Sequence, residues 1–353
     1  MKSKTVFAAL LIMIADNVAA QVYQAQWQEQ KSGLTSSFRG LSAVNEKIAW
    51  VSGTRGSYAR TTDGGQTWIA DSVAGATPLD FRDVQAFEAN RAYLMSAGNG
   101  ELSRIYKTTD GGKTWQLQHL NKIPAGFFDG MAFWDENSGI VIGDPIDGHL
   151  FILLTNDGGK IWQVLPAEKS PAVMNGEYAF AASGAGIAVY GQKHVWLATG
   201  GSAARVFHSP DRGQTWQVAN TPIVSGNESS GIFSIAFRDE KHGVVVGGNY
   251  KEPNEAKGNA ALTSDGGKTW QLIKNPASVT FQSCVAFVPD RLHSMIVAVG
   301  TSGSHYSMDA GQTWMKFGDE GYHTLSFAQP AHVGWAAGGE GRIAKLLIAK
   351  KQK

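Results

Sequence analysis

Short apolar runs rich in β-branched and aromatic residues alternate with glycine-rich turns along most of the chain. Examples are AYLMSAG from Ala92, GIVIGD from Gly139, HVWLATG from His194, GVVVGG from Gly243 and MIVAVG from Met295. Each run has the length of a strand, and after residue 20 no stretch shows the apolar spacing of an amphipathic helix. The pattern therefore predicts an all-β protein built from many short strands.

A nine-residue stretch recurs six times between these runs. RTTDGGQTW ends at Trp68, and near copies end at Trp115, Trp162, Trp216, Trp270 and Trp314. The aspartates of these boxes are 44 to 54 residues apart, namely Asp63, Asp110, Asp157, Asp211, Asp265 and Asp309. A repeat of that length fits one four-stranded blade, so it predicts a β-propeller.

A second set of segments gives the number of blades. Seven similar segments, which we interpret as inner strands, begin at Phe38, Phe81, Phe127, Gly176, Gly231, Phe281 and Tyr322. Only six boxes accompany them, and WQEQ at Trp27 resembles the strands that follow a box, such as WQLQ at Trp115. We therefore predict a seven-bladed propeller whose last blade is closed by the N-terminal strand, because closure removes an exposed sheet edge.

The box has the composition of a tight turn. An Asp side chain accepts hydrogen bonds from backbone N–H groups a few residues further on. The second glycine occurs in all six boxes, whereas the first becomes Arg212 or Ala310, so we expect the second position to be the one that needs positive φ. The tryptophan is expected to cover apolar surface at the blade edge. The six aspartates are therefore predicted to be structural.

The N-terminus has the pattern of a secretory signal peptide. Lys2 and Lys4 precede a short apolar run from Val6 to Ala15, and small residues follow it. We expect cleavage before Gln21, which leaves residues 21–353 as a single propeller domain. The location is then secreted or periplasmic, with no stable membrane insertion after cleavage.

The boxes, which span about residues 60 to 315, resemble the Asp-box, or bacterial neuraminidase repeat, S/T-x-D-x-G-x-T-W. Asp-boxes occur in sialidases, sortilin-type receptors, xyloglucan-degrading glycosidases and a photosystem II assembly factor, and lie on the outer rim of these proteins. In length and inner-strand pattern the chain is most similar to the photosystem II assembly factor-like family of seven-bladed propellers. The resemblance implies a non-enzymatic binding or assembly protein, with a sialidase-like or xyloglucanase-like glycoside hydrolase as the alternative.

Charged residues at the starts of the inner strands, and in loops of the same face, form the candidate site. Function in closed β architectures gathers where loops meet the central opening. The candidate binding residues are Arg39, Arg82, Asp129, Asp144, Glu177, Arg205, His323 and Arg342. In the hydrolase alternative, the resemblance implies Asp129, Glu177 and Tyr178 as catalytic residues. Because the arginine fork suits carboxylates, we expect a protein or glycan ligand with acidic groups.

Other classes of partner find no support in the sequence. The formal net charge is +1, which gives no reason to expect a nucleic acid. No zinc spacing, EF-hand loop or phosphate-binding glycine loop occurs, so we expect neither a metal nor a cofactor. The lone cysteine, Cys284, cannot form an internal disulfide and is expected to be buried. We expect a monomer.

Overall fold

The computed structural model describes residues 23–289, 294–328 and 333–350, and these form seven antiparallel sheets. The first strand, β1 (Tyr23–Lys31), belongs to the last blade. Blade 1 contains β2 (Phe38–Ala43), β3 (Ala49–Gly53), β4 (Ser57–Thr61) and β5 (Ile69–Ser72). Blade 2 contains β6 (Asp80–Ala86), β7 (Ala92–Ala97), β8 (Arg104–Thr108) and β9 (Gln116–Leu120). Blade 3 contains β10 (Phe128–Phe133), β11 (Gly139–Ile146), β12 (His149–Thr155) and β13 (Gln163–Val164).

The remaining blades follow the same order from the axis outward. The short β14 (Glu177–Tyr178) precedes blade 4, which contains β15 (Ile187–Tyr190), β16 (His194–Ala198), β18 (Arg205–Ser209) and β19 (Gln217–Asn220), with β17 (Gly200–Gly201) between its second and third strands. Blade 5 contains β20 (Ser230–Phe237), β21 (Gly243–Asn249), β22 (Ala260–Thr263) and β23 (Gln271–Leu272). Blade 6 contains β24 (Cys284–Phe287), β25 (Ile296–Gly300), β26 (Gly303–Ser307) and β27 (Met315–Gly318). Blade 7 contains β28 (Thr324–Phe327), β29 (Gly334–Ala337), β30 (Arg342–Lys350) and β1.

The N-terminal strand closes the ring, as predicted. β1 pairs with β30 in an antiparallel ladder that runs from Tyr23 opposite Lys350 to Lys31 opposite Arg342. Blade 7 thus combines strands from both ends of the described chain. With β1 as its outermost strand, it has four strands like the other blades. The predicted signal peptide, residues 1–20, lies outside the described residues.

The fourth inner strand is the one inner strand that the sequence placed wrongly. The segment from Gly176 forms only the two-residue β14, which pairs with β17 and thereby joins the sheet of blade 5. The true inner strand of blade 4 is β15, about ten residues later. The apolar residues that suggested a strand here belong instead to residues 179–186, which cross the central channel.

Each box tryptophan packs between two blades rather than at a free blade edge. Trp115 of blade 2 lies against Trp50 and Tyr58 of blade 1, with ring centroids 6.1 and 5.1 Å apart. At the interface of blades 6 and 7, Trp27 of β1 packs between the two blades as the box tryptophans do elsewhere. Its Nε1 donates to Ser304 Oγ at 2.9 Å. The other box tryptophans lie in the apolar clusters that join their own blade to the preceding one, namely Trp68, Trp162, Trp216, Trp270 and Trp314.

Every box forms the same hydrogen-bonded turn between the third and fourth strands of its blade. In the first box, Thr61 Oγ1 donates to Asp63 Oδ1 and accepts from the Gly65 N–H, both at 2.8 Å. The N–H and hydroxyl of Thr67 donate to the two Asp63 oxygens at 2.9 and 2.6 Å. These bonds from Thr67 lower the pKa of Asp63 to about 2. In the third box, Ile161 keeps only the N–H contact to the box aspartate, at 3.0 Å.

Both glycine positions of the box have positive φ, which corrects the expectation that the second position alone requires it. Arg212 and Ala310 adopt φ values of 60° and 58° at the first position. The second position is also restricted by space. A Cβ on Gly112, whose φ is 89°, would lie 2.7 Å from Cε2 of Tyr58 in the preceding blade. Positive φ favours glycine at this position in every box, and in the second box close approach between blades adds to it.

Two further features concern the whole molecule. Cys284 is buried at the blade 6–7 interface, as expected. Within the described ranges, no helix is long and apolar enough to cross a membrane. The helices there are three single 3₁₀ turns, Gly100–Leu102, Ala167–Lys169 and Pro276–Ser278.

Candidate functional site

A bulge near the start of the inner strand directs a side chain into the same cavity from four blades. The strand register shifts by one residue at the same point of blades 1, 2, 3 and 5, at Arg39, Arg82, Asp129 and Phe233. A bulged residue leaves the ladder, so its side chain can be redirected. All four side chains line one cavity on the axis, on the face opposite the boxes. The repeated backbone therefore presents different chemistry from each blade.

The floor of this cavity is a segment that crosses the central channel, which we term the channel segment (residues 179–186). Arg39 donates to the Ala182 carbonyl at 3.3 Å and Arg82 to the Ala181 carbonyl at 2.8 Å. On the other side, Ser183 donates to the Ser283 carbonyl at 2.9 Å. The channel segment thus connects blades 1 and 2 with blade 6. It separates the cavity from a second opening, of about 480 Å³, on the box face.

The cavity has a volume of about 560 Å³, in the range of sites for small ligands or a few residues of a peptide. Several predicted residues come together there, namely Arg39, Arg82, Asp129, Asp144, Tyr178 and His323. We term this cavity the axial pocket. Their role as ligand-binding residues stays a prediction.

The basic side of the axial pocket comes from blades 1, 2 and 7. Arg82 forms an ion pair with Asp80, with Nε 2.8 Å from the carboxylate. Arg39 has no such carboxylate partner among the described residues. Burial, followed by the charge of Arg82, lowers the pKa of Arg39. Burial and the neighbouring arginines lower the pKa of His323 to about 4, so its imidazole is neutral at pH 7. This side attracts anions.

The acidic side comes from blade 3. Asp129 lies on β10 and is 3% exposed, and Asp144 lies on the adjacent β11. Burial raises the pKa of Asp129 well above its ordinary value, and the charge of Asp144 raises it further, while Arg82 opposes the shift. Burial also raises the pKa of Asp144 to about 6, although the Ala179 N–H donates to it. The basic and acidic sides are neighbours, since the charge of Arg82 acts on Asp129.

Aromatic side chains complete the wall of the axial pocket, and of these only Tyr178 was predicted from the sequence. Phe180 stacks on Phe233 with ring centroids 3.9 Å apart, and Tyr178 meets Phe180 edge-on at 5.4 Å. Phe281 and Tyr250 meet Phe233 at 4.8 and 6.1 Å. Phe233 could have been found from the sequence, because it occupies the position of Arg39 and Arg82 in its own inner strand.

Asp83 lies below the channel segment and was not predicted as a site residue. Its Oδ2 accepts the Met131 N–H at 2.8 Å, and a Cβ on Gly184 would lie 2.4 Å from its carboxyl carbon. Burial raises the pKa of Asp83 to about 7. The carboxyl lines the opening on the box face, so the two ends of the channel are chemically distinct.

Three predicted binding residues lie elsewhere. Glu177 and Arg205 form a buried ion pair, with Arg205 Nε 2.9 Å from Glu177 Oε1, and Thr199 donates to the same oxygen at 2.6 Å. Neither residue lines the axial pocket, so the pair tethers β14 to blade 4. Arg342 lies at the rim, where it donates to the Gly321 carbonyl at 2.8 Å. The inner-strand misplacement at Gly176 explains why Glu177 was expected at the mouth.

The arrangement of donor side chains decides whether the pocket can hold a metal ion. Throughout the part of the chain that the structure describes, no group of three or more His, Cys, Asp or Glu side chains could hold a metal ion. Asp129 and Asp144 are thus two carboxyls without a third donor.

Comparison with known proteins agrees with the fold. The BNR/Asp-box repeat family matches residues 106–117, which belong to the second box. Sequence comparison with curated proteins gives no significant match. Among solved structures, the chain is similar to one described as YCF48 bound to D1 peptide, with 20% identity, a TM-score of 0.62, and coverage of 90% of this chain and 94% of that one.

Two other solved structures widen the comparison. YCF48 from Cyanidioschyzon merolae has 17% identity and a TM-score of 0.58, over 90% of this chain and 98% of that one. The GH74 xyloglucanase from Xanthomonas campestris has 15% identity and a TM-score of 0.60, over 90% of this chain and 53% of that one. At such identities the likeness concerns the fold alone, which binding proteins and enzymes share. On its sheets, its six boxes and these likenesses, the chain is a seven-bladed Asp-box β-propeller, similar in fold to the YCF48 structures.

Proposed function

We propose that the protein is an extracytoplasmic, non-enzymatic binding or assembly propeller that holds an acidic group of its partner in the axial pocket. The observation that carries the proposal is the pairing of Arg39 and Arg82 at one cavity. Arg39 is largely buried and lacks a carboxylate partner among the described residues, so an incoming carboxylate would supply one. His323 is neutral and adds no charge, and Asp80 pairs with Arg82, so the uncompensated positive charge on this side is that of Arg39.

The character of the axial pocket favours a protein partner. The stacked Phe180 and Phe233 offer an apolar surface beside the arginines, as peptide side chains require. The similar structure described as YCF48 bound to D1 peptide is a propeller of this type with a peptide ligand. We extend that class of ligand, and no particular peptide, to this protein. The extracytoplasmic location rests on the sequence pattern of residues 1–20.

The test measures binding of an array of short acidic peptides, with uronic-acid oligomers alongside them. Arg39→Ala or Arg82→Ala removes a charge-assisted hydrogen bond, which weakens binding roughly 10- to 100-fold. Arg91→Ala is the matched control, because Arg91 has the same 30% side-chain exposure as Arg82 and an ion pair with Glu136, but lies on the box face. Binding that Arg91→Ala weakens as much as Arg39→Ala contradicts the proposed site. Mass analysis of the secreted chain tests cleavage before Gln21.

A glycoside hydrolase is the second candidate, and Asp129 with Asp144 is the observation that favours it. A carboxyl with a raised pKa can act as a general acid, and its neighbour could serve as the base or nucleophile. Tyr178 lines the same pocket. Turnover of sialosides, uronic-acid polymers or β-glucans that Asp129→Asn reduces by orders of magnitude would favour the hydrolase over the binding protein.

A further inference from the structure

The acidic side of the axial pocket contains carboxyl oxygens that the protein itself does not satisfy. Asp129 Oδ2 and Asp144 Oδ1 are buried, and neither has a hydrogen-bond partner among the described residues. Asp129 reaches this position through the bulge of β10, which takes it out of the ladder. Buried polar groups in native proteins are almost always paired, and both residues line the axial pocket, so a donor from outside the chain can complete their hydrogen bonds there.

Among the residues that the structure describes, no cation forms an ion pair with Asp129 or Asp144. Arg82 is the nearest positive group that acts on Asp129, but its hydrogen bonds go to Asp80 and to the Ala181 carbonyl. Burial and mutual repulsion therefore leave the Asp129–Asp144 pair partly protonated near neutral pH. A ligand cation at this point would replace a bound proton as the compensating charge.

The neighbouring rings suit the same kind of ligand group. Phe180 and Phe233 are stacked, and Tyr178 packs edge-on against Phe180 in the same wall. The faces of aromatic rings attract ammonium and guanidinium groups, and the apolar stem of such a group packs on them. Carboxyls beside aromatic rings are thus a combination that binds organic cations.

We propose that Asp129 and Asp144 form a subsite for an ammonium or guanidinium group of the ligand, beside the carboxylate subsite of Arg39 and Arg82. The inference rests on the proposed function, since it concerns the same pocket. It narrows the partner to a protein segment that carries an acidic and a basic group close together. Sialic and uronic acid polymers, which carry no such cation, do not fill both subsites.

Three small probes that share a phenyl ring separate the two subsites. Phenethylammonium carries the cation alone, 3-phenylpropionate the anion alone, and phenylalanine both charges. Binding is measured by NMR titration of the folded protein, with dissociation constants in the millimolar range for ligands of this size. We expect Asp129→Asn and Asp144→Asn to weaken phenethylammonium binding at least 10-fold and to leave 3-phenylpropionate binding intact. Asp147→Asn, an exposed residue of the same β11–β12 hairpin, is the control and changes neither.

The pH dependence of the unmodified protein gives a second readout. Phenethylammonium must displace a proton from the Asp129–Asp144 pair, so its affinity rises between pH 5 and pH 8, and calorimetry in two buffers detects the released proton. Four other groups at the pocket keep their charge over this range. His323 stays neutral and Arg39 stays cationic. Tyr178 stays neutral because burial raises its pKa, and Glu228 stays ionised because Lys251 lowers its pKa. Asp83, below the channel segment, titrates near pH 7, and repeating the series in Asp83→Asn removes its contribution.

The outcomes distinguish the inference from the function on which it rests. If 3-phenylpropionate binds through Arg39 while phenethylammonium binding is absent, or unaffected by both Asp variants, the cation subsite is wrong and the acidic-ligand function stands. If phenethylammonium binds through the pair while every acidic probe fails, the subsite stands and the proposed function is wrong. Affinity for phenethylammonium that does not change with pH also overturns the inference, even if the Asn variants fail to fold.

Discussion

The two faces of the propeller use repetition in opposite ways. On the box face, Thr61 and Asp63 have equivalents in five more blades, with the same hydrogen bonds at nearly the same distances. At the axial pocket, the backbone position is repeated but the residue is not. The corresponding inner-strand residues are Arg39, Arg82, Asp129 and Phe233. Repeated residues hold the blades together, whereas repeated geometry with varied residues makes a site.

This difference separates charges that stabilise the fold from charges that remain open to a ligand. The Glu177 carboxylate accepts hydrogen bonds from Arg205, Thr199 and the Met174 N–H, so both of its oxygens already have partners within the protein. The Asp129 carboxyl, although equally buried, lacks such partners within the described chain. Burial alone therefore does not identify a functional carboxyl; the state of its hydrogen bonds does.

The largest expected effect comes from the ring closure. A chain that begins at residue 32 lacks β1, so β30 loses its partner along nine residue pairs and the Trp27 side chain leaves the blade 6–7 interface. We expect loss of cooperative unfolding and aggregation, because an edge strand of that length is exposed. A chain that begins at Tyr23 is the control and should unfold like the parent in thermal scans. Equal melting temperatures for both truncations would contradict closure by β1.

The next effect concerns the buried ion pair. Glu177→Gln leaves Arg205 buried without its counter-charge, which costs about 3–5 kcal/mol of the free energy of unfolding, measured in urea. The double variant Glu177→Leu with Arg205→Met removes both charges and should recover most of that loss. Ligand binding at the axial pocket is expected to stay unchanged in protein that remains folded. Weaker binding without any loss of stability would place Glu177 among the site residues after all.

A smaller effect is expected at the box glycine. Gly112→Ala combines positive φ with a clash against Tyr58, for a cost of about 2–4 kcal/mol. Gly75→Ala is the matched control, because Gly75 has a φ of 73° and nothing within 4 Å of the added Cβ, so it should lose only about 1–2 kcal/mol. The difference between the two variants measures the contact between blades. Equal losses would show that φ alone selects glycine in the box.

The fold could be predicted from the sequence because its signals are local and repeated. A turn that needs Asp, Gly and Trp at fixed spacing produces the same residues in six places. Ring closure was predicted because seven inner-strand segments accompany only six boxes. The fourth inner strand was wrong because the channel segment is as apolar as a strand. Two of its carbonyls accept hydrogen bonds from Arg39 and Arg82 instead of from a neighbouring strand. The bonded residues are separated by 143 and 99 positions in the sequence, so these contacts leave no local pattern.

The site could be predicted only in part, for a related reason. The position at the start of the inner strand was visible, so Arg39, Arg82, Asp129 and His323 were found by their charge. Phe233 occupies that position too, but an aromatic residue in a strand is ordinary core by composition. The aromatic wall depends on Phe180 stacking on Phe233, a contact made by the segment that the sequence misplaced.

The smallest expected effect tests whether channel residues reduce stability, in contrast to the boxes. The folded pKa of Asp83, about 7, lies above its unfolded value, so the folded state holds a proton that the unfolded state has lost between about pH 4 and pH 7. The contribution of Asp83 to stability is therefore complete below about pH 4 and is lost as the pH rises through about 7. Asp83→Asn retains an acceptor for the Met131 N–H without the charge, and should be about 1–2 kcal/mol more stable than the parent at pH 8, with little difference at pH 4. Asp83→Ala, which leaves that N–H unsatisfied, should be less stable than Asp83→Asn at both values. Urea unfolding of the three proteins at both pH values measures these differences. If Asp83→Asn is less stable than the parent at pH 8, the charged carboxylate instead helps to hold the channel segment in place.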